Sequence, residues 1–324
     1  MRLKLVASFL FNKITPTIVK SKIEKKVFDI VARNIEQQIV FRSKIDSRMV
    51  FCIVHWNAPD YLLLNVDRIF SLYPNSKIYV LDNGSLPTNF NDIKKSLARF
   101  DNVTLFSAPL RSPNLITKVG LDQHFRSYTH PKGLQFLLNY SAEQSDEIAV
   151  FLDQDCILSN KIELLLYEFN KKILLIGARD YVVIPKDYGP LKKGKLRNAP
   201  HCVHASFMIL QPKIVNQLFG RFSLFLPREY LLYPPRSHQP EAYHGISFKA
   251  KGRILFLETR MHETVPFLTS YAYQGVIYAW HAWYSSRMMN LPSNGRLDSL
   301  PVSWLRDVRL LSYEHLKRIQ KAQS

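Results

Sequence analysis

The chain has 324 residues, 47% of them hydrophobic, which is enough to build one large α/β domain or two ordinary ones and excludes a disordered chain. Lys and Arg outnumber Asp and Glu by 44 to 26, a formal charge of +18, so an anionic partner is expected: nucleic acid, an acidic membrane surface or a phosphorylated small molecule. Three cysteines, Cys52, Cys156 and Cys202, have no paired spacing and read as buried thiols in a reducing compartment, which excludes a disulfide scaffold.

The first segment, residues 1–48, interleaves Lys and Arg with Ile, Val and Phe. It reads as a basic helical arm, and the pattern fits equally a helix on anionic lipid and one packed on its own domain. Its short apolar run ends at Lys13 without a small-residue cleavage site, and no later run reaches about 18 uncharged apolar residues, so no membrane span is expected.

From Met49 the pattern changes. "MVFCIVHWN" reads as a buried strand, "APDYLLLNVDRIFSLYP" as a helix with Pro59 in its first turn, and "SKIYVLDNGS" as a second strand closing on a turn. A helix over about 91–99 leads to the strand "NVTLFSAP", and a helix over 133–142 leads to "IAVFLDQD". Strands alternating with helices predict a mostly parallel sheet flanked by helices. In such sheets a ligand lies beyond the carboxyl ends of the strands, which here carry "VHWN", "LDNGS" and "LDQD". No Gly-x-Gly-x-x-Gly follows the first strand and no Gly-Lys-Ser/Thr loop occurs, which argues against a dinucleotide fold and a P-loop enzyme.

Asp153 and Asp155 end the strand 148–152. Taken as strand residues i and i+2 they share one side, roughly 7 Å apart at about 3.3 Å rise per residue, and can share a hard divalent cation. An Asp-x-Asp is common by chance; its place at a strand's end is the informative part. "His201-Cys202-x-His204" lacks the spacing and the fourth ligand of a structural zinc site.

After Asp155 the chain predicts a helix in "KIELLLYEFN", strand pieces in "ILLIGARDYVVIP" and "HCVHASFMILQP", and a helix, a stop at Gly252 and a strand in "EAYHGISFKAKGRILFLE". The last periodic segment, "WLRDVRLLSYEHLKRIQKAQ", predicts a helix that caps the fold or touches a membrane.

The ordered set "FCIVHWNAPDYLLLNVDRIF", "YVLDNGS" and "FLDQD" resembles the GT-A glycosyltransferases, in particular the large family 2 rich in inverting bacterial sugar transferases. The likeness spans about 49–290. It implies a Rossmann-like GT-A domain with a nucleotide-sugar-binding half, 49–160, and an acceptor-binding half, 161–290, between the arm 1–48 and a helical tail, 291–324. It implies a nucleotide-diphospho-sugar donor, a saccharide or lipid-linked acceptor, Mn2+ or Mg2+, and a role in surface glycan biosynthesis. Val54, Trp56, Asp82 and Asn83 would hold base and ribose, with Asn83 where many relatives have Asp. Asp153 would hold ribose and metal, Asp155 metal, and His281 or His262 a further ligand place, His281 being preferred within "YAWHAWYSSR". Arg287 would reach the diphosphate. Glu241 would be the base, with Glu229 and His244 in reserve; His204 and Ser206 would line the acceptor pocket, and His130 and Lys132 would approach the nucleotide. The expected location is cytoplasmic, with the inner membrane face as a resting surface.

Two other functions compete. A nucleotidyltransferase of similar fold requires a Gly-rich loop that "VHWNAPDY" lacks. A basic nucleic-acid-binding protein fits the charge and the 12% aromatic content, but the basic residues are dispersed instead of gathered on one module.

Overall fold

The structure is a computed structural model, and it describes residues 38–44, 47–108, 122–144, 146–169, 173–179, 203–219, 250, 252–265, 268–282, 313–318 and 320–321. In chain order the elements are β1 (Gln38–Phe41), β2 (Met49–His55), α1 (Pro59–Leu72), β3 (Lys77–Asp82), α2 (Pro87–Leu97), β4 (Val103–Ser107), α3 (Asp122–Glu143), β5 (Ile148–Asp153) and β6 (Cys156–Leu158). They continue as α4 (Glu163–Glu168), β7 (Leu175–Arg179), β8 (Val203–Leu210), α5 (Pro212–Phe219), β9 (Ile254–Met261), β10 (Leu268–Tyr273) and β11 (Val276–Ala282).

The strands hydrogen-bond in the order β1-β4-β3-β2-β5-β8-β7-β9-β10-β11-β6. β4, β3, β2 and β5 are mutually parallel, the doubly wound centre that the alternation predicts. Their side chains split by period two. Phe51 and Ile53 of β2 join Leu62, Val66 and Ile69 of α1 and Ile93 and Leu97 of α2 in one cluster. Val50, Cys52 and Val54 join Leu134, Leu137 and Leu138 of α3 in the other. Both faces of these strands are therefore covered, which is why their sequences run continuously apolar.

Two expectations change. The sheet is not mostly parallel throughout: β7 and β9 pair in parallel, but β5–β8, β7–β8, β9–β10, β10–β11 and β11–β6 are antiparallel. The hairpin β10–β11 turns on Gln274 (φ 50) and Gly275 (φ 79), the left-handed pair that matches strand twist in a two-residue turn. Nor is the whole of 1–48 helical. Gln38–Phe41 is a strand, antiparallel to β4, with Ile39 opposite Phe106. The β-branched pair Ile39-Val40 followed by Phe41 suits a pleated edge, and the exposed side of β4 supplies the partner. Residues 1–37 lie outside the described residues.

The helix predicted over 91–99 starts earlier, at Pro87, where proline's fixed φ suits a first turn; that predicted over 133–142 extends back to Asp122. The helix expected from Glu241 lies outside the described residues. Residues 313–318 are helical and do cap the fold: Leu316 is buried with Tyr61 and Leu64 of α1 and Leu268 and Ala282 of the β10–β11 hairpin. Tyr313 meets Tyr61 edge-on at 5.4 Å. Among the described residues, no helix is long and apolar enough to cross a membrane.

Candidate metal and nucleotide site

Asp153 closes β5, the last of the four parallel strands, and Asp155 sits just before β6. The two acids are thus not successive positions of one strand. The chain turns between them, which brings their oxygens closer than strand alternation allows. Since β6 is the far edge of the strand order yet begins three residues after β5 ends, the antiparallel half has to fold back over the rim of the parallel half. β6 pairs with β11 so that Cys156 faces His281, and the amide of Ala282 donates to the Asp155 carbonyl at 3.0 Å. That register delivers His281 to the acids: its Nε2 lies 3.6 Å from Asp153 Oδ2 and 3.3 Å from Asp155 Oδ1. One ligand atom from each of the three lies within 4.8 Å of the others.

A half-buried carboxylate, a buried one and a buried imidazole at this spacing fit a divalent cation, whose bonds to oxygen and nitrogen run about 2.0–2.6 Å. The outer partners fit too. Tyr271 OH lies 2.8 Å from His281 Nδ1 and 2.7 Å from Ser206 Oγ, and both hydroxyl-bearing residues are buried. With Nδ1–H donating to Tyr271 and the tyrosine donating to Ser206, the Nε2 lone pair faces the acids. Partial burial opposes ionisation of Asp153, yet the hydrogen bond and charge of His130 and the charges of His281 and His204 outweigh it and hold this carboxyl below the usual carboxylate range. Cys156 beside them is no ligand in waiting: burial, then the fields of Asp153 and Asp155, push its thiol well up.

The turn is braced from below by one face of α1. Asn65 Nδ2 donates to the Asp153 carbonyl at 3.2 Å, and Arg68, one turn on, donates from Nε to Leu158 O (3.0 Å) and from Nη2 to Ser159 O (2.5 Å). Gln154, between the acids, is tied sideways: its Oε1 accepts from the Trp56 amide at 2.7 Å and its Nε2 donates to the Trp56 carbonyl at 3.2 Å. The ends of β2 and β5 are therefore clasped together, and Trp56 stands partly exposed beside the metal turn.

Of the other nucleotide candidates, Val54 is buried against α3, where a Cβ on Gly133 would meet its methyls at 3.0 Å. Asp82 is 2% exposed and largely engaged within the protein. Its Oδ1 accepts from His55 Nδ1 (2.9 Å) and Ser85 Oγ (2.5 Å), and its Oδ2 from the Ser85 amide (3.1 Å). Because His55 Nε2 accepts the Ala58 amide at 3.1 Å, the ring proton is on Nδ1. Asp82 thereby organises the β2–α1 turn, in which Asn57 has φ 52 and accepts the Leu86 amide through its side chain. Asn83 is buried next to it, its amide donating to the His55 carbonyl at 2.8 Å.

His262 lies away from the acids. Its Nδ1 accepts the amides of Thr264 and Val265, and its ring packs on Trp280 and His315. Of the two alternatives, His281 is the histidine that reaches them. His204 is near, 6.0 Å from His281 between ring centres, while Ser206 serves the Tyr271 link. Glu229, Glu241, His244, Arg287, His201 and Cys202, and the side chain of Lys132, lie outside the described residues. Sequence reasoning missed Tyr271 and the clasp of Gln154, for which no local signal exists. It also missed Asn65 and Arg68, whose signal is two polar residues at i and i+3 inside the apolar stripe of α1.

No family model matches the chain, and no curated protein matches it. Solved structures do. A mannosyltransferase from Pyrobaculum calidifontis, in complex with GDP-Man and Mn2+, matches at 12% identity and a TM-score of 0.40, over 99% of this chain and 85% of that one. The galactosyltransferase LgtC, in complex with donor and acceptor sugar analogs, matches at 14% and 0.44, over 85% and 96%. Mouse xyloside xylosyltransferase 1 matches at 12% and 0.38, over 65% and 85%. These neighbours are sugar transferases; the functional reading of this chain rests on its own side chains.

Proposed function

We propose that the protein is a metal-dependent glycosyltransferase of the GT-A type that moves a sugar from a nucleoside-diphosphate donor to a saccharide or lipid-linked acceptor, with inversion, in the making of a surface glycan. The observation that carries the reading is the meeting of Asp153, Asp155 and His281 at the carboxyl rim of the parallel strands, where such sheets place their ligands. Asp153, Asp155 and His281 would hold a divalent ion there, which when bound would supply neutralisation of charge on the diphosphate leaving group. One imidazole with two carboxylates favours Mn2+ over Mg2+, since nitrogen ligation suits transition metals better.

The chain's own residues do the rest. Asp153, kept ionised, and Asp155 fix the cation's place. The Tyr271–Ser206 link holds His281 in the ligating tautomer. Gln154 fixes the distance from that turn to Trp56, the partly exposed aromatic on which the base stacks. Glu241 takes the acceptor hydroxyl's proton as the new bond forms. The basic surface, +18 over the chain, favours an anionic acceptor or a seat on an anionic membrane.

The test is a panel of nucleotide-sugars incubated with the purified full-length chain and Mn2+, scored for release of nucleoside diphosphate. One donor should turn over, chelation should stop it, and Asp155→Asn should lower the rate by about 100-fold or more. Equal turnover by parent and variant would remove the metal from the reaction.

A further inference from the structure

Asp153 uses its two oxygens on different neighbours. Oδ2 is the one nearest His281, on the side of the proposed cation, whereas Oδ1 lies 3.3 Å from Nε2 of His130, which approaches from α3. Asp153 is the most exposed of the three ligands, with 21% of its side chain open against 7% for Asp155 and 3% for His281. Its main chain is tied by Asn65, but its carboxylate would be free to rotate away from the cation were it not held at Oδ1.

The placing of His130 is itself built into α3. Three residues on, and therefore on the same helical face, Gly133 lets the helix sink onto the strands: a Cβ there would meet Leu81 Cδ2 and both Val54 methyls at 3.0 Å. These contacts fall on β2, one side of the β2–β5 rim, and on its neighbour β3. The depth of α3 at Gly133 thus sets how closely His130 reaches the end of β5.

We propose that His130 is a positioning residue of the metal centre: by bonding Asp153 Oδ1 it turns Oδ2 toward the cation and preorganises the site before metal or donor arrives. This rests on the metal reading above. Groups that orient metal ligands from outside in this way typically contribute about 10–100-fold to affinity. A glutamine at the same place keeps an N–H donor of comparable reach and should serve in its stead.

The test is Mn2+ titration of the purified full-length protein by calorimetry, without nucleotide, with the thermal midpoint of each metal-free variant as a check on folding. His130→Ala should weaken Mn2+ binding by about 10–100-fold, and His130→Gln should recover most of it. Gly133→Ala, which leaves the imidazole intact but lifts α3, should weaken binding by a smaller factor. With donor and Mn2+ present, His130→Ala should need more metal for half-maximal rate while the rate at saturating metal changes little. Unchanged or tighter Mn2+ binding by His130→Ala, or a glutamine variant as weak as the alanine one, overturns the inference. If the parent itself binds no Mn2+, the metal reading falls first. If the alanine variant does not fold, the decision passes to Gly133→Ala against His130→Gln: equal affinities overturn the inference, and weaker binding by Gly133→Ala upholds it.

Discussion

Tyr271 shows how far a single hydroxyl can reach into the proposed metal site. It is fully buried, and its oxygen bridges Ser206 and His281. Burial first, and then the fields of Cys156, Asp153 and Asp155, push its phenol well up, so it stays a neutral donor and acceptor across the ordinary pH range. Removing the hydroxyl takes away the Tyr271 bond to His281 Nδ1, which helps set the ring's tautomer and tilt. Tyr271→Phe should therefore weaken Mn2+ binding by about 10–100-fold with little change in the circular dichroism spectrum, and Ser206→Ala should fall between variant and parent. Calorimetric titration of the three proteins checks the ordering; a phenylalanine variant equal to the parent would show that packing alone holds His281.

Helix α1 does two jobs with two stripes. Leu62, Val66 and Ile69 fill the core beneath the parallel strands, while Asn65 and Arg68 reach the main chain of the β5–β6 turn. Arg68 satisfies two carbonyls, at Leu158 and Ser159, from a position only 2% exposed. Arg68→Met would keep most of the volume and strand both acceptors in a dry site, costing about 2–4 kcal/mol. Urea unfolding of the metal-free protein measures this directly, and Mn2+ affinity should fall with it because the turn carries Asp155. A loss below about 0.5 kcal/mol would mean that water replaces the guanidinium without cost. The strand β1 illustrates the opposite case, an edge element attached by a few ladder bonds to β4 with Ile39 41% exposed.

Across the fold, several buried acids of high intrinsic pKa stay protonated. Burial raises the thiols of Cys52 and Cys156 and the phenols of Tyr73, Tyr79 and Tyr271, in each case as the largest cause. The unfolded chain releases these protons near pH 8.5 for cysteine and 10 for tyrosine. The folded chain then binds more protons than the unfolded one, and the slope of stability against pH is negative. The contribution is whole below about pH 8.5 and drains away as pH climbs toward the raised folded values. The thermal midpoint should hold level from about pH 7 to 8.5 and drop steadily from there to 11, with thiol reagents reaching Cys52 and Cys156 only as unfolding begins. A flat midpoint to pH 11 would contradict the burial of these groups.

The local code was enough for the parallel half. Runs such as "FCIVH" and "IAVFLD" are apolar because both faces of β2 and β5 are covered, and that is a property of neighbouring residues which any reader of the chain can detect. The same code placed Asp153 and Asp155 at a strand's end, and the order of motifs suggested the chemistry. It could not show that the acids lie across a turn instead of along one strand. It preferred His281 to His262 only through a resemblance, and it could not bring His130 to Asp153 or reveal Tyr271 and Gln154. The histidine and tyrosine pairings join residues from 10 to 128 positions apart through antiparallel register, β6 on β11 and β10 on β11, whereas His130 is delivered by α3 and Gln154 meets Trp56 past the ends of β2 and β5; all of these are set by the packing of the assembled sheet. Local periodicity carries no information about which distant strand becomes a neighbour. The Asp153–Asp155–His281 cluster therefore emerges only when the antiparallel half closes over the parallel rim.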